Sequence, residues 1–291
     1  MSARERLGTP VIDELRLCYL AEPSLLADLA AVNFGDCLVI EPFTLFRTGG
    51  DRFEFTFSVC LGEPGNRREV GMLKFGRFGA GESHFIYFKV QNSVLYDKPA
   101  LRLVLTLPDM LRMTFNNFTA VDIAIDYPKN ISSIIKRMMR NDQITTILNG
   151  KAIRDRGRTI PGITFDYSTS LRRLHCPTIT LRQAKASKNK EKGITVQSYD
   201  KKAEVEISSG KEYILDYYQQ PRHLFRLEVR LRYQELQDYC KKTSIVQNIE
   251  LIFDRSFLEG AFFYHLSSVL RFSKGRRPLA WQDIISCAGK V

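Results

Sequence analysis

Among its six cysteines the chain has no CxxC pair, and among its four histidines no His-x-His or His-x-x-x-His pair. Scattered cysteines (18, 37, 60, 176, 240, 287) fit neither a zinc knuckle nor a disulfide scaffold. They read as reduced core or strand residues of a cytosolic protein. No apolar run is long enough to span a membrane, and the charged start MSARERLGTP leads into no apolar signal core. A soluble intracellular protein is expected. What the chain does have is size and positive charge. Its 291 residues are 44% hydrophobic, enough for one large domain or two of ordinary size. A net charge of +11 points to a polyanionic partner, nucleic acid before a membrane surface. The alternative is an ordinary solvated basic surface.

Hydrophobic patterning predicts an α+β fold: antiparallel sheets with helices, arranged as two tandem related α+β units plus a C-terminal helical segment. Residues 1–9 form a polar lead and 11–21 a first strand. A short helix follows, with Ser24 placed to cap it. From Cys37 to Val90, strands alternate with the turn signals GG, EPGN and FGAGES. Segment 99–113 is mixed, with Pro108 opening a helical turn. The second half opens on the strand FTAVDIAIDYP, then a helix from Ile131 that Asn130 caps. The strands ITFDYS, PTITLRQA, ITVQSYDKK and LFRLEVRLR come next. Tyr233–Lys241 reads as a short helix, Ser244–Phe272 as helical, and a last helix holds Trp281. Domain boundaries are expected at 1–117, 118–243 and 244–291.

Three of these strands carry an unusual polar face. Strand alternation puts Asp122 and Asp126 on one side of the AVDIAID segment. Arg226, Glu228, Arg230 and Arg232 share one side of FRLEVRLR, and Gln197, Tyr199 and Lys201 one side of the third. Asp is depleted in strands, so two in a short apolar segment need a reason. One is a hard divalent cation such as Mg²⁺ or Mn²⁺, which takes oxygen ligands. The other is structural: Asp126 starts the turn at Tyr127-Pro128, and Asp122 pairs with an arginine. Glu228 is a third ligand or a cross-strand ion-pair partner. Tyr199 is a candidate nucleophile with Lys201 beside it, since neighbouring cations favour the phenolate; otherwise it is a packing residue.

Between Leu171 and Lys202 stand nine Lys or Arg and two acids, densest in AKASKNKEKG. Arg182, Lys185, Lys188, Lys190 and Lys192 make this a candidate phosphate-tracking finger, or else an ordinary charged loop.

At this point the chain resembles the replication initiation factor family, rolling-circle initiators of small plasmids and filamentous phages together with related conjugative-element relaxases. Three motifs in the family's order carry the likeness: Asp122-Ile123-Ala124-Ile125-Asp126, Tyr199-Asp200-Lys201 and Arg226-Leu227-Glu228-Val229-Arg230. The resemblance covers about the second half of the chain and implies that this unit is the catalytic one. It implies nicking of origin DNA in a bacterial cytoplasm. Tyr199 becomes 5′-phosphotyrosyl-linked and a 3′-hydroxyl is freed as primer. Asp122, Asp126 and Glu228 hold Mg²⁺ or Mn²⁺, while Arg226, Arg230 or Lys201 offset developing charge. Single-stranded or supercoiled DNA is the partner, with a host helicase and a second copy of the chain as further ones, and no membrane. The competing reading is a non-catalytic DNA-binding replication, regulatory or structural protein of a mobile element.

Overall fold

A computed structural model describes residues 3–49, 55–62, 66–76, 84–153, 163–166, 178–182 and 193–287. The elements in chain order are α1 (Ala3–Arg6), β1 (Pro10–Leu20), α2 (Pro23–Ala31), β2 (Cys37–Ile40), β3 (Phe43–Thr48), β4 (Phe55–Leu61), β5 (Arg68–Phe75) and β6 (Phe85–Val90). Then come α3 (Asn92–Leu95), α4 (Lys98–Val104), α5 (Leu107–Met110), β7 (Thr114–Tyr127), α6 (Ile131–Arg140), β8 (Ile144–Leu148), β9 (Lys151–Ala152), β10 (Ile163–Asp166) and β11 (Thr178–Arg182). The chain ends with β12 (Thr195–Asp200), α7 (Lys201–Glu204), α8 (Glu212–Tyr217), β13 (Phe225–Arg232), α9 (Tyr233–Thr243), α10 (Arg255–Val269), β14 (Leu270–Lys274), β15 (Arg277–Leu279) and α11 (Trp281–Cys287). The fold is α+β with antiparallel sheets.

The chain divides into two compact units. The smaller comprises Asp13–Val121 and Ile245–Ile249. Its strands run in the order β1-β6-β5-β4-β3-β2, all antiparallel. Leu15, Leu17, Phe43, Leu45, Phe57, Val59, Leu73, Ile86 and Phe88 form its core. β5 and β6 approach closely at Gly71, where a Cβ would lie 2.5 Å from Phe88 Cε2 and 2.8 Å from the Lys89 carbonyl.

The larger unit comprises Met1–Ile12, Asp122–Ser244 and Glu250–Val291. Its principal strands run β10-β11-β12-β13-β7, and a second sheet runs β15-β14-β8-β9. Within each unit the first long strand lies beside the last strand of an antiparallel run and is followed by a helix. In the smaller unit Asp13 Oδ1 accepts the Tyr96 hydroxyl at 2.7 Å.

Helix α6 fixes which face of the larger sheet stays polar. Asn130 Oδ1 accepts the Ser133 N–H at 2.8 Å, satisfying one of the donors that a helix start leaves open. Ile131, Ile134 and Ile135 are buried, and α6 packs on β12 and β13. The Ser132 and Ser198 hydroxyls meet there at 2.8 Å. Val196, Ser198, Leu227 and Val229 are buried. By alternation the opposite face carries Gln197, Tyr199, Arg226, Glu228 and Arg230.

Two local expectations are corrected. Ser24 does not cap α2; Glu22 is the N-cap and Pro23 opens the helix, since a proline's missing N–H costs nothing there. The stretch Ser244–Phe272 is not one helix. A 3₁₀ segment, Ile249–Phe253, precedes α10, and the chain turns extended at Leu270. Leu270 and Phe272 are buried and alternate with exposed Arg271, so β14 pairs with β8. The Trp281 indole N–H donates to the Leu270 carbonyl at 3.0 Å. The turns EPGN and FGAGES lie largely outside the described residues, as does the AKASKNKEKG tip with Lys185, Lys188, Lys190 and Lys192.

Two outcomes follow. Gly71→Ala is expected to cost about 1–3 kcal/mol, because neither a ring nor a backbone carbonyl can give way cheaply; equilibrium denaturant unfolding measures it. His265 is only 3% exposed and stacks at an angle on Tyr239 and Tyr264. Burial lowers its pKa to about 4, below the roughly 6.5 of an unfolded histidine. The unfolded chain therefore binds the proton first as pH falls. Stability is full above pH 6.5 and declines toward pH 4. The difference in stability between wild type and His265→Phe, followed from pH 7 to pH 4, should shrink or reverse in that window.

Candidate active site

The site is built on three neighbouring strands, β12, β13 and β7. In the β12–β13 ladder Tyr199 stands opposite Arg226, Gln197 opposite Glu228 and Thr195 opposite Arg230. A large side chain also reaches its diagonal neighbour across an antiparallel pair. The Tyr199 hydroxyl does so, donating to Glu228 Oε2 at 2.9 Å.

The innermost contact is a buried ion pair. Arg226 Nε donates to Asp126 Oδ1 at 2.8 Å and Nη2 to Asp126 Oδ2 at 2.6 Å. Both side chains are 0% exposed. This two-pronged fit matches the planar guanidinium to a carboxylate. Tyr218 lies buried nearby; desolvation first, and the Asp126 charge second, push its phenol well above the ordinary tyrosine range.

Toward solvent the pairs continue. Arg230 Nε donates to Glu228 Oε1 at 2.6 Å and lies 3.5 Å from Asp122 Oδ2. Arg232 Nη1 donates to Asp122 Oδ1 at 3.1 Å. Glu228 is 1% exposed, whereas the Arg230 side chain is 39% exposed. Burial alone would lower the Arg230 pKa, but the Glu228, Asp122 and Tyr199 neighbours outweigh it and hold the guanidinium charged. Tyr199 is half-buried.

Lys201 reaches the site by a different route from the one strand alternation predicts. β12 ends at Asp200, whose Oδ1 accepts the Ala203 N–H at 3.0 Å and so caps α7. Lys201 is therefore the first helical residue. Its side chain is buried, pairs with Glu204 Oε2 at 2.9 Å, and puts Nζ 5.7 Å from the Tyr199 ring centroid. Arg182 is exposed on β11, two strands from β13.

The sheet thus brings Asp122, Asp126, Tyr199, Lys201, Arg226, Glu228 and Arg230 together. It does not arrange the carboxylates as a cation cradle. Asp126 has both oxygens on Arg226 and no solvent-facing surface. Asp122 is faced by two arginines, and Glu228 by Arg230 and the Tyr199 phenol. Among the described residues no three His, Cys, Asp or Glu side chains converge on a point suited to a metal ion. The expected ligand set of Asp122, Asp126 and Glu228 therefore does not fit a divalent cation in this geometry. Asp122 instead takes the alternative, arginine-paired role. Strand alternation placed Arg232 on this face but gave it no role of its own. Two participants were not singled out from the sequence. Glu204 becomes a partner of Lys201 only once a helix is known to start there. Tyr218 gave no signal.

Comparison with known proteins gave no match, either to a described family or to a curated protein.

Removing the Arg226 guanidinium strands the Asp126 charge in a dry interior. Arg226→Ala is expected to destabilise the protein by about 3–5 kcal/mol. The apolar double replacement Arg226→Met with Asp126→Leu is expected to recover most of that loss. Urea unfolding midpoints of the three proteins decide it.

Proposed function

We propose that this chain is a DNA-nicking and strand-transfer enzyme that initiates rolling-circle replication, with Tyr199 as nucleophile. The observation that supports this best is the setting of the Tyr199 hydroxyl. It is half-exposed at a strand end, bonded to a buried carboxylate, with a charged guanidinium at hand. A packing tyrosine needs none of these. A phosphodiester is the substrate class that uses them all.

The Tyr199 oxygen attacks the scissile phosphorus, and the P–O3′ bond breaks. The 5′-phosphate stays on the tyrosine and the 3′-hydroxyl serves as primer. The Arg230 guanidinium faces the phosphoryl oxygens as charge builds on them. The Lys201 ammonium adds positive potential beside the phenol ring. Arg226 acts through the strand, fixing β13 to β7 rather than touching DNA. The net charge of +11 draws the DNA backbone in, with Arg182 and the lysines at 185, 188, 190 and 192 proposed to follow it. Single-stranded or supercoiled origin DNA in a bacterial cytoplasm is the proposed partner, and a host helicase would unwind ahead of the primer. No step of this mechanism runs through a divalent cation.

The test is covalent capture. Wild-type protein is incubated in Mg²⁺ or Mn²⁺ buffer with supercoiled plasmid and with a 3′-labelled random-sequence single-stranded oligonucleotide pool. A denaturation-resistant protein–DNA adduct is expected, and Tyr199→Phe should abolish it while binding the pool with unchanged affinity. Absence of adduct from wild type, or an equal yield from Tyr199→Phe, contradicts the assignment.

A further inference from the structure

A tyrosine needs somewhere to put its proton. An ordinary phenol loses it only near pH 10, so attack at neutral pH calls for an acceptor within hydrogen-bond reach. Four groups on this face compete for the role. Asp126 is ruled out because Arg226 holds both its oxygens inside the protein. Asp122 is engaged by Arg230 and Arg232. Lys201 is an ammonium paired with Glu204 and has no lone pair to offer. Glu228 remains, and its Oε2 already accepts the phenol hydrogen at 2.9 Å.

We infer that Glu228 is the proton acceptor for the Tyr199 phenol and not a ligand to a cation, with Arg230 holding the carboxylate's other oxygen in place. Each oxygen then has one task. Oε1 is fixed by Arg230 Nε at 2.6 Å, which fixes the direction in which Oε2 points. Glu228 is 1% exposed, so water does not compete for it. In the step, the Tyr199 O–H bond breaks and its proton passes to Oε2. The phenol oxygen forms the new bond to phosphorus, and the P–O3′ bond breaks. Glu228 then gives the proton up to the departing 3′-oxygen, and the carboxylate is restored. Arg230 links the two halves of the reaction, since the guanidinium that aims the base also faces the phosphate.

The inference rests on the reading of the chain as a tyrosine nickase, and one set of measurements separates the two. Single-turnover adduct formation with the oligonucleotide pool is followed for wild type, Glu228→Gln and Glu228→Asp. Pool affinity is measured alongside, as is Mn²⁺ affinity by calorimetry. Glu228→Gln keeps the shape and is expected to slow adduct formation by at least about 100-fold. Affinity for the pool and for Mn²⁺ should not change. Glu228→Asp, which withdraws the carboxylate by one methylene, should slow the step by about 100-fold too, and it keeps the test open if Glu228→Gln does not fold. A rate within threefold of wild type in either variant overturns the inference. So does a slowed rate accompanied by weaker Mn²⁺ binding, which would make Glu228 a ligand. No adduct from wild type removes the nickase reading and the inference with it.

Discussion

The contact between Asp126 and Arg226 is what the rest of the site depends on. Two full charges sit in a water-free interior, where leaving either alone is far more costly than pairing them. Their side chains come from β7 and β13, so the ion pair ties those strands at a chosen register. A slip of one residue would turn every side chain of a strand to the other face. With the register held, Asp122 and Glu228 lie on the same side, and Arg230 falls between them.

From that dry end the polar face opens toward solvent. Arg226 is fully buried, Glu228 nearly so, and Arg230 and Arg232 are partly exposed. Charge interactions are strong where water is excluded and weaken as it enters. The buried end therefore positions, and the open end is where a charged ligand can be met. Tyr199 bridges the two, its ring beside buried Lys201 and its hydroxyl on Glu228. α6 closes the opposite face, with the Ser132–Ser198 contact as its one buried hydroxyl pair among the described residues.

Much of this was legible in the sequence because strand alternation is a strict rule. Period two in AVDIAID and FRLEVRLR fixed which side chains share a face, and the three strands do lie side by side. Asn130 announced α6 because its side chain has one favourable use before an apolar helix. What alternation does not reveal is which partner each charge takes. The same Asp, Glu and Arg pattern suits a cation cradle or a chain of ion pairs, and only distances separate them. Lys201 was placed correctly for an incorrect reason, since a cap at Asp200 turns the chain into a helix. β14 was hidden because Leu270 and Phe272 follow an apolar helix without a break, so helical spacing ran on past Val269. The β8 pairing that extends them is non-local.

The most direct measurement of the central claim is the identity of the residue joined to DNA. After digestion of a trapped protein–DNA complex, mass spectrometry of the nucleotide-bearing peptide should place the 5′-phosphate on Tyr199 within the segment that ends in Asp200-Lys201. A phosphate carried by any other tyrosine would contradict the account, which rests on the contacts of the Tyr199 phenol with Glu228 and of Glu228 with Arg230.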